Sequence, residues 1–251
     1  MRLHSFQKLK FLIFLFSLFS AEVLSASFNC EKATTGIEKF ICADVDISYM
    51  DESLSNVYNL LLDYSHTETS DTLRREQRLW LVERNKNCYS RFNCLTIYTK
   101  RLNELKIALM HAKLRGALFE LSGQSTNTLM WRDYFQDFIK LFSGGHKFKL
   151  LSNDWLLSHD ISAVLGGPPN DITRHKGYFV GSACRHHSCF EKSIFAVRYS
   201  DMSAVFGVTH GVTLSLFYKN KEFFKSVEKI IIKRAQKEAS SEIKIIVPVQ
   251  L

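Results

Sequence analysis

Six contiguous residues, Cys184-Arg185-His186-His187-Ser188-Cys189, combine thiols and imidazoles, the side chains that most often bind metals or act as nucleophiles. A zinc site would need Cys184, His186, His187 and Cys189 to surround one ion tetrahedrally, which six contiguous residues do not readily allow. A Cys–His nucleophile would need a free thiolate, and an even total of six cysteines argues against one in an oxidising compartment. The residues favour a disulfide that closes a tight loop and holds the imidazoles outward. We predict no metal, no cofactor and no catalytic residue.

The N-terminus has the pattern of a secretory signal peptide. Three cations among the first ten residues precede the apolar run Phe11 to Phe19, and small residues follow at Ser25 and Ala26. The apolar run is too short to span a hydrocarbon core of about 30 Å. We therefore predict a signal peptide over residues 1–26, with cleavage after Ala26 or after Ser25, a periplasmic or secreted protein, and no stable insertion in a membrane.

Charge and cysteine content constrain the mature chain. The formal charge is +8, and removal of residues 1–26 lowers it to +6, because Arg2, Lys8, Lys10 and Glu22 are lost. The basic residues are scattered rather than clustered in a stripe, so we predict no nucleic-acid partner. The cysteines fall in three clusters: Cys30 and Cys42, Cys88 and Cys94, Cys184 and Cys189. If the two halves fold separately, Cys184 pairs with Cys189 and three pairings remain for the other four.

Residues 27–115 have helical periodicity. Thr35-Gly36-Ile37-Glu38 is typical of a capping box at a helix start. Apolar residues then recur at steps of three and four, and Ser70 or Asp71 is predicted to cap a further helix. This half is predicted to be a small helical module cross-linked by cysteines.

The period changes to two in the C-terminal part of the chain. Residues 116–150 are predicted to hold a polar linker at Ser122 to Thr128 and an amphipathic helix from Trp131 to Phe142. Within 151–251, four alternating runs predict antiparallel strands, followed by a helix and a final strand. The predicted strands are 177–184, 189–199, 204–210, 212–218 and 243–249, with the helix around 223–231. The fold class is α+β, a disulfide-clipped helical module followed by an antiparallel-sheet domain with flanking helices.

The helical half holds four cysteines in order together with the run Glu76-Gln77-Arg78-Leu79-Trp80 and the pair Arg84-Asn85. On these residues, the stretch from 28 to about 112 resembles the LprI-like domain, which is named for a bacterial lysozyme-inhibitor lipoprotein. On helical spacing, Trp80 lies on the buried stripe, whereas Glu76 and Arg78 face away from it. We expect these signature residues to pack the helices together.

In the loop region, the stretch Gly177 to Cys189 is followed by Ile194-Phe195-Ala196-Val197. These residues resemble the inhibitor of vertebrate lysozyme family, Ivy, which carries a Cys-Lys-Pro-His-Asp-Cys loop between two strands. His187 matches the family's histidine, whereas His186 replaces proline and Ser188 replaces aspartate. The resemblance is extended over 151–251, and it implies that the loop enters a lysozyme cleft where His187 meets the catalytic carboxylates. It also implies a homodimer.

These resemblances predict an exported, non-catalytic inhibitor of lysozyme or of a related muramidase or lytic transglycosylase. The inhibitory loop would be Cys184, Arg185, His186, His187, Ser188 and Cys189, with Arg185 adding a positive charge at the rim. The alternative is a non-catalytic envelope protein that binds cell-wall glycan or another partner and uses the loop only for structure.

Overall fold

A computed structural model describes residues 26–151, 155–239 and 242–251. The predicted signal peptide lies, apart from Ala26, outside the described residues. The chain divides into two compact units, the first ending at Lys106 and the second spanning Ile107–Leu251. Each unit is described by itself.

The first unit is helical. A short 3-10 helix at Cys30–Lys32 is followed by α1 (Gly36–Ala43), α2 (Val45–Asp63), α3 (Thr67–Asn87) and the first part of α4 (Arg91–Glu120), which continues beyond Lys106. The capping box of Thr35 and Glu38 is confirmed at the start of α1. The predicted cap of α3 is wrong, because the helix begins at Thr67 and Ser70 is buried inside it.

The second unit contains the sheet. Its elements are α5 (Thr126–Met130), α6 (Asp133–Ser143), α7 (Leu157–Leu165), β1 (Thr173–His175), β2 (Tyr178–Arg185), β3 (Ser188–Arg198), β4 (Ala204–His210), β5 (Thr213–Tyr218), α8 (Lys221–Glu238) and β6 (Ile245–Gln250). The strands lie in sequence order. Neighbours are antiparallel except β5 and β6, which are parallel because α8 carries the chain back to the same end of the sheet. The α+β class is confirmed.

The sheet is covered on both faces. Alternation along the strands sends Phe179, Phe195 and Phe206 into a core shared with α5, α6 and α7, and sends Val180 and Ile194 toward α8. All of these side chains are fully buried. The segment predicted as a polar linker instead contains the start of α5, which Ser125 caps and in which Thr126 is fully buried. Helix α7 and strand β1 had not been predicted.

Candidate functional site

The six-residue motif forms the tip of the hairpin that joins β2 to β3. Cys184 and Cys189 form a disulfide with their Cα atoms 4.8 Å apart, and His186 and His187 make the turn between the strands. His187 has a φ of 61°, in the left-handed region that residues other than glycine adopt uncommonly. Both imidazoles are exposed, and their ring centroids lie 3.8 Å apart. The geometry brings the predicted loop residues together at one end of the sheet.

Pairing of the two strands is irregular at this tip. Arg185 pairs with Ser188, but the preceding residue, Cys184, pairs with Lys192. Three residues of β3, from Cys189 to Glu191, therefore bulge out of the ladder. The side chain of Phe190 lies in the middle of this bulge and is 70% exposed. The sequence predicted a regular strand here, because a bulge changes the alternation of apolar and polar side chains very little.

A second segment, residues 167–170, is hydrogen-bonded to the edge of β2 opposite β3. The amide of Gly167 donates to the carbonyl oxygen of Cys184 at 2.9 Å. The amide of Cys184 donates to the carbonyl oxygen of Pro168 at 3.0 Å. The amide of Asn170 donates to the carbonyl oxygen of Ser182 at 2.9 Å. The end of β2 is thus hydrogen-bonded along both edges, which restricts movement of the loop.

The charges beside the loop are paired with one another. The guanidinium Nη1 of Arg185 lies 2.8 Å from Oε2 of Glu191, and Nδ1 of His210 lies 3.5 Å from Oε1 of the same carboxylate. The Glu191 side chain is 15% exposed. The Arg185 cation, expected at the rim, is therefore partly neutralised, and the exposed groups of the tip are imidazoles and an aromatic ring.

One buried carboxyl group lies behind this region, on α7. Asp160 is fully buried. Burial raises its pKa to about 6, against the opposing effects of a backbone hydrogen bond from Leu151 and of nearby His159 and Arg185. A single carboxyl group of this kind does not make a catalytic pair. No group of three or more His, Cys, Asp or Glu that could hold a metal ion occurs in the described parts of the chain.

The signature residues of the helical unit form a buried polar network. The hydroxyl of Tyr98 donates to Oδ1 of Asp51 at 2.6 Å, and Nη1 of Arg84 lies 3.3 Å from the same oxygen. Burial raises the pKa of Tyr98, and the charge of Asp51 adds to that effect. Trp80 packs its ring edge to face with Tyr98, with centroids 5.3 Å apart. Arg84 and Trp80 thus join α3 to α2 and α4 rather than forming a surface site.

The other two disulfides also lie in this unit. Cys30 is bonded to Cys42, with Cα atoms 5.7 Å apart, and Cys88 is bonded to Cys94, with Cα atoms 4.5 Å apart. The first ties the short 3-10 helix to α1, and the second closes the turn between α3 and α4. No helix among the described residues is long and apolar enough to cross a membrane.

Comparison with known proteins finds a similarity for the helical part of the chain. No curated protein and no solved structure matches the sequence. The similarity of the loop region to Ivy stays a prediction. Residues 30–118 match the family model described as lysozyme inhibitor LprI. The resemblance predicted for the N-terminal half is thereby confirmed over these residues.

Proposed function

We propose that this protein is an exported inhibitor of lysozyme or of a related muramidase or lytic transglycosylase. The observation that carries the proposal is the match of residues 30–118 to a family of lysozyme inhibitors. Three disulfides fit a periplasmic or extracellular location, where such bonds persist. The inhibitory element is the Cys184–Cys189 loop, and His187 is the side chain that meets the catalytic carboxyl groups.

The chemistry of a muramidase cleft suits an imidazole. Such a cleft holds two carboxyl groups, one protonated as the general acid and one ionised. An imidazole accepts a hydrogen bond from the first or donates one to the second, and it gains a proton readily beside a carboxylate. The disulfide and the two hydrogen-bonded edges of β2 fix the loop before binding, so little conformational entropy is lost on docking.

The distribution of charge favours an acidic cleft as the target of the loop. Residues 107–251 contain 19 Lys and Arg against 12 Asp and Glu, whereas residues 27–106 contain 11 against 12. The loop therefore belongs to the basic unit, which attracts a cleft that carries carboxylates. The same excess charge supports the alternative function, an envelope protein whose basic surface binds anionic cell-wall glycan while the loop is only structural.

Replacing His187 with alanine is expected to raise the inhibition constant about 10- to 100-fold, because a hydrogen bond to a charged group contributes about 1.5–3 kcal/mol. The measurement is peptidoglycan lysis by a muramidase at increasing concentrations of the mature protein. His186→Ala is the matched control, since this neighbouring imidazole is also exposed and is expected to matter less. Undiminished lysis with excess wild-type protein would contradict inhibition itself. Equal inhibition by wild type and His187→Ala would contradict the loop mechanism and leave inhibition standing.

A further inference from the structure

The most exposed aromatic side chain near the loop is Phe190. It is 70% exposed although it belongs to a strand of the sheet, because the three-residue bulge at Cys189 to Glu191 turns it out of the ladder. The residues of β3 from Ile194 to Val197 are fully buried, so the exposure is confined to the tip. Aromatic side chains are enriched among the residues that carry most of the binding energy at protein interfaces.

The position of Phe190 is fixed from both sides. Cys189 precedes it and is held by the disulfide to Cys184. Glu191 follows it, and its carboxylate is bound by Arg185 at 2.8 Å and approached by His210 at 3.5 Å. A side chain whose neighbours are anchored in this way loses little backbone freedom on binding, and phenylalanine has few rotatable bonds to immobilise.

We propose that Phe190 is a second anchor of the inhibitor and occupies a sugar-binding subsite next to the carboxylates that His187 contacts. The proposal rests on the proposed function and names a further residue of the same surface. A muramidase cleft must bind the flat apolar faces of sugar rings on either side of the scissile bond, and an aromatic ring can replace one such face. Because Glu191 is held by Arg185 and His210, Phe190 enters the cleft without bringing a free carboxylate beside the catalytic pair.

The test is the variant Phe190→Ala, with Phe92→Ala as its matched control. Phe92 is a phenylalanine of similar exposure, 79%, on helix α4 of the other unit. We expect Phe190→Ala to weaken binding to a muramidase about 30-fold, the effect of losing one buried aromatic anchor. Phe190→Tyr should retain most of the affinity, and Phe92→Ala should bind like wild type. Binding is measured by calorimetry with a muramidase whose general acid has been replaced, so that substrate turnover does not interfere.

An oligosaccharide of N-acetylglucosamine serves as the second readout. It should compete with the wild-type inhibitor for the cleft, and it should displace Phe190→Ala at lower concentrations. If wild type binds and Phe190→Ala binds equally well, the role of Phe190 is wrong while inhibition by the loop stands. If wild type binds tightly but does not slow lysis by the active enzyme, the contact lies outside the cleft, and both the proposed function and the subsite for Phe190 are wrong. If wild type does not bind, both are wrong.

A second and independent observation concerns the start of the first unit. Ser27 donates to Oδ2 of Asp51 from its amide at 2.9 Å and from its hydroxyl at 2.5 Å. The Asp51 carboxylate is buried and binds Arg84 and Tyr98 through its other oxygen. One of the two predicted cleavage points lies immediately before Ser27, and cleavage there would change the chemistry of this contact.

We infer that cleavage of the Ala26–Ser27 bond places the new N-terminus on Asp51. A signal peptidase, an endopeptidase, would add water across this amide. Ala26 would leave with a carboxylate, and Ser27 would keep an ammonium group at the nitrogen that lies 2.9 Å from Oδ2 of Asp51. The hydrogen bond from a neutral amide to the Asp51 carboxylate would thus become an ion pair with an ammonium group, which adds the attraction of two opposite charges in a buried site. Removal of the signal peptide would in this way stabilise the helical unit.

Intact mass of the exported protein tests the first part, and a mass corresponding to residues 27–251 is expected. For the second part, a chain that begins at Ser27 is compared with one that begins at Ala26. We expect the midpoint of thermal unfolding to be about 5 °C higher for the first. Nα-acetylation of Ser27 should abolish the difference, and so should Asp51→Asn where that variant folds. A mature N-terminus at another residue, or equal midpoints for the two chains, would overturn the inference.

Discussion

Replacing Gly167 with alanine is expected to destabilise the second unit by about 3 kcal/mol, in the upper range for overpacking. A Cβ atom at this position would lie 2.3 Å from the carbonyl oxygen of Cys184, 2.5 Å from the amide nitrogen of His186 and 2.6 Å from the carbonyl carbon of Arg185. All three are backbone atoms of the loop, so no side chain can rotate away to make room. The end of β2 must therefore move to accommodate the methyl group, and the hydrogen bond from Gly167 to Cys184 is lost.

The same change is expected to weaken inhibition of lysis at least tenfold, because the displaced backbone carries His186 and His187. The stability is measured by urea denaturation and the inhibition by the lysis assay. Gly145→Ala is the matched control, since a Cβ atom there meets no atom within 4 Å. It should leave stability and inhibition unchanged. If Gly167→Ala unfolds and inhibits as the wild-type protein does, the loop is not held by this contact.

The elements that the sequence predicted well are those set by local chemistry. The capping box at Thr35 needs only residues three apart, and the strands of the sheet follow from a two-residue alternation. The start of α3 was misplaced because Ser70 has the side chain of a cap but lies on the buried face of the helix. Burial of that kind depends on packing against other helices, which a local pattern does not contain.

The candidate site was predictable only in part for the same reason. Its cysteines and histidines are contiguous, so the loop could be read directly from the chain. Gly167 lies 17 residues before Cys184, and the run Gly166 to Pro169 indicates only a turn until its pairing with β2 is seen. The link from Arg185 through Glu191 to His210 likewise joins three strands. Such contacts depend on strand register, and the bulge that exposes Phe190 changes that register.

Replacing Asp51 with alanine is expected to destabilise the helical unit by about 3–5 kcal/mol, the cost of removing one partner of a buried ion pair. Arg84 would keep its hydrogen bonds to Asn85 but lose its counter-ion, and the hydroxyl of Tyr98 would lose the acceptor at 2.6 Å. Both the Arg84 and the Asp51 side chains are at most 10% exposed, so water cannot readily replace the lost contacts.

Asp71→Ala is the matched control for that change, and urea denaturation is the measurement. Asp71 also pairs with an arginine, Arg74, at 3.3 Å, but the two side chains are 72% and 52% exposed. Because exposed pairs contribute at most about 1 kcal/mol, this variant should unfold almost as wild type does. A similar small loss for Asp51→Ala would mean that the guanidinium of Arg84 reaches water when its partner is removed. The signature residues Trp80 and Arg84 would then have to be explained by a surface role and not by the buried network.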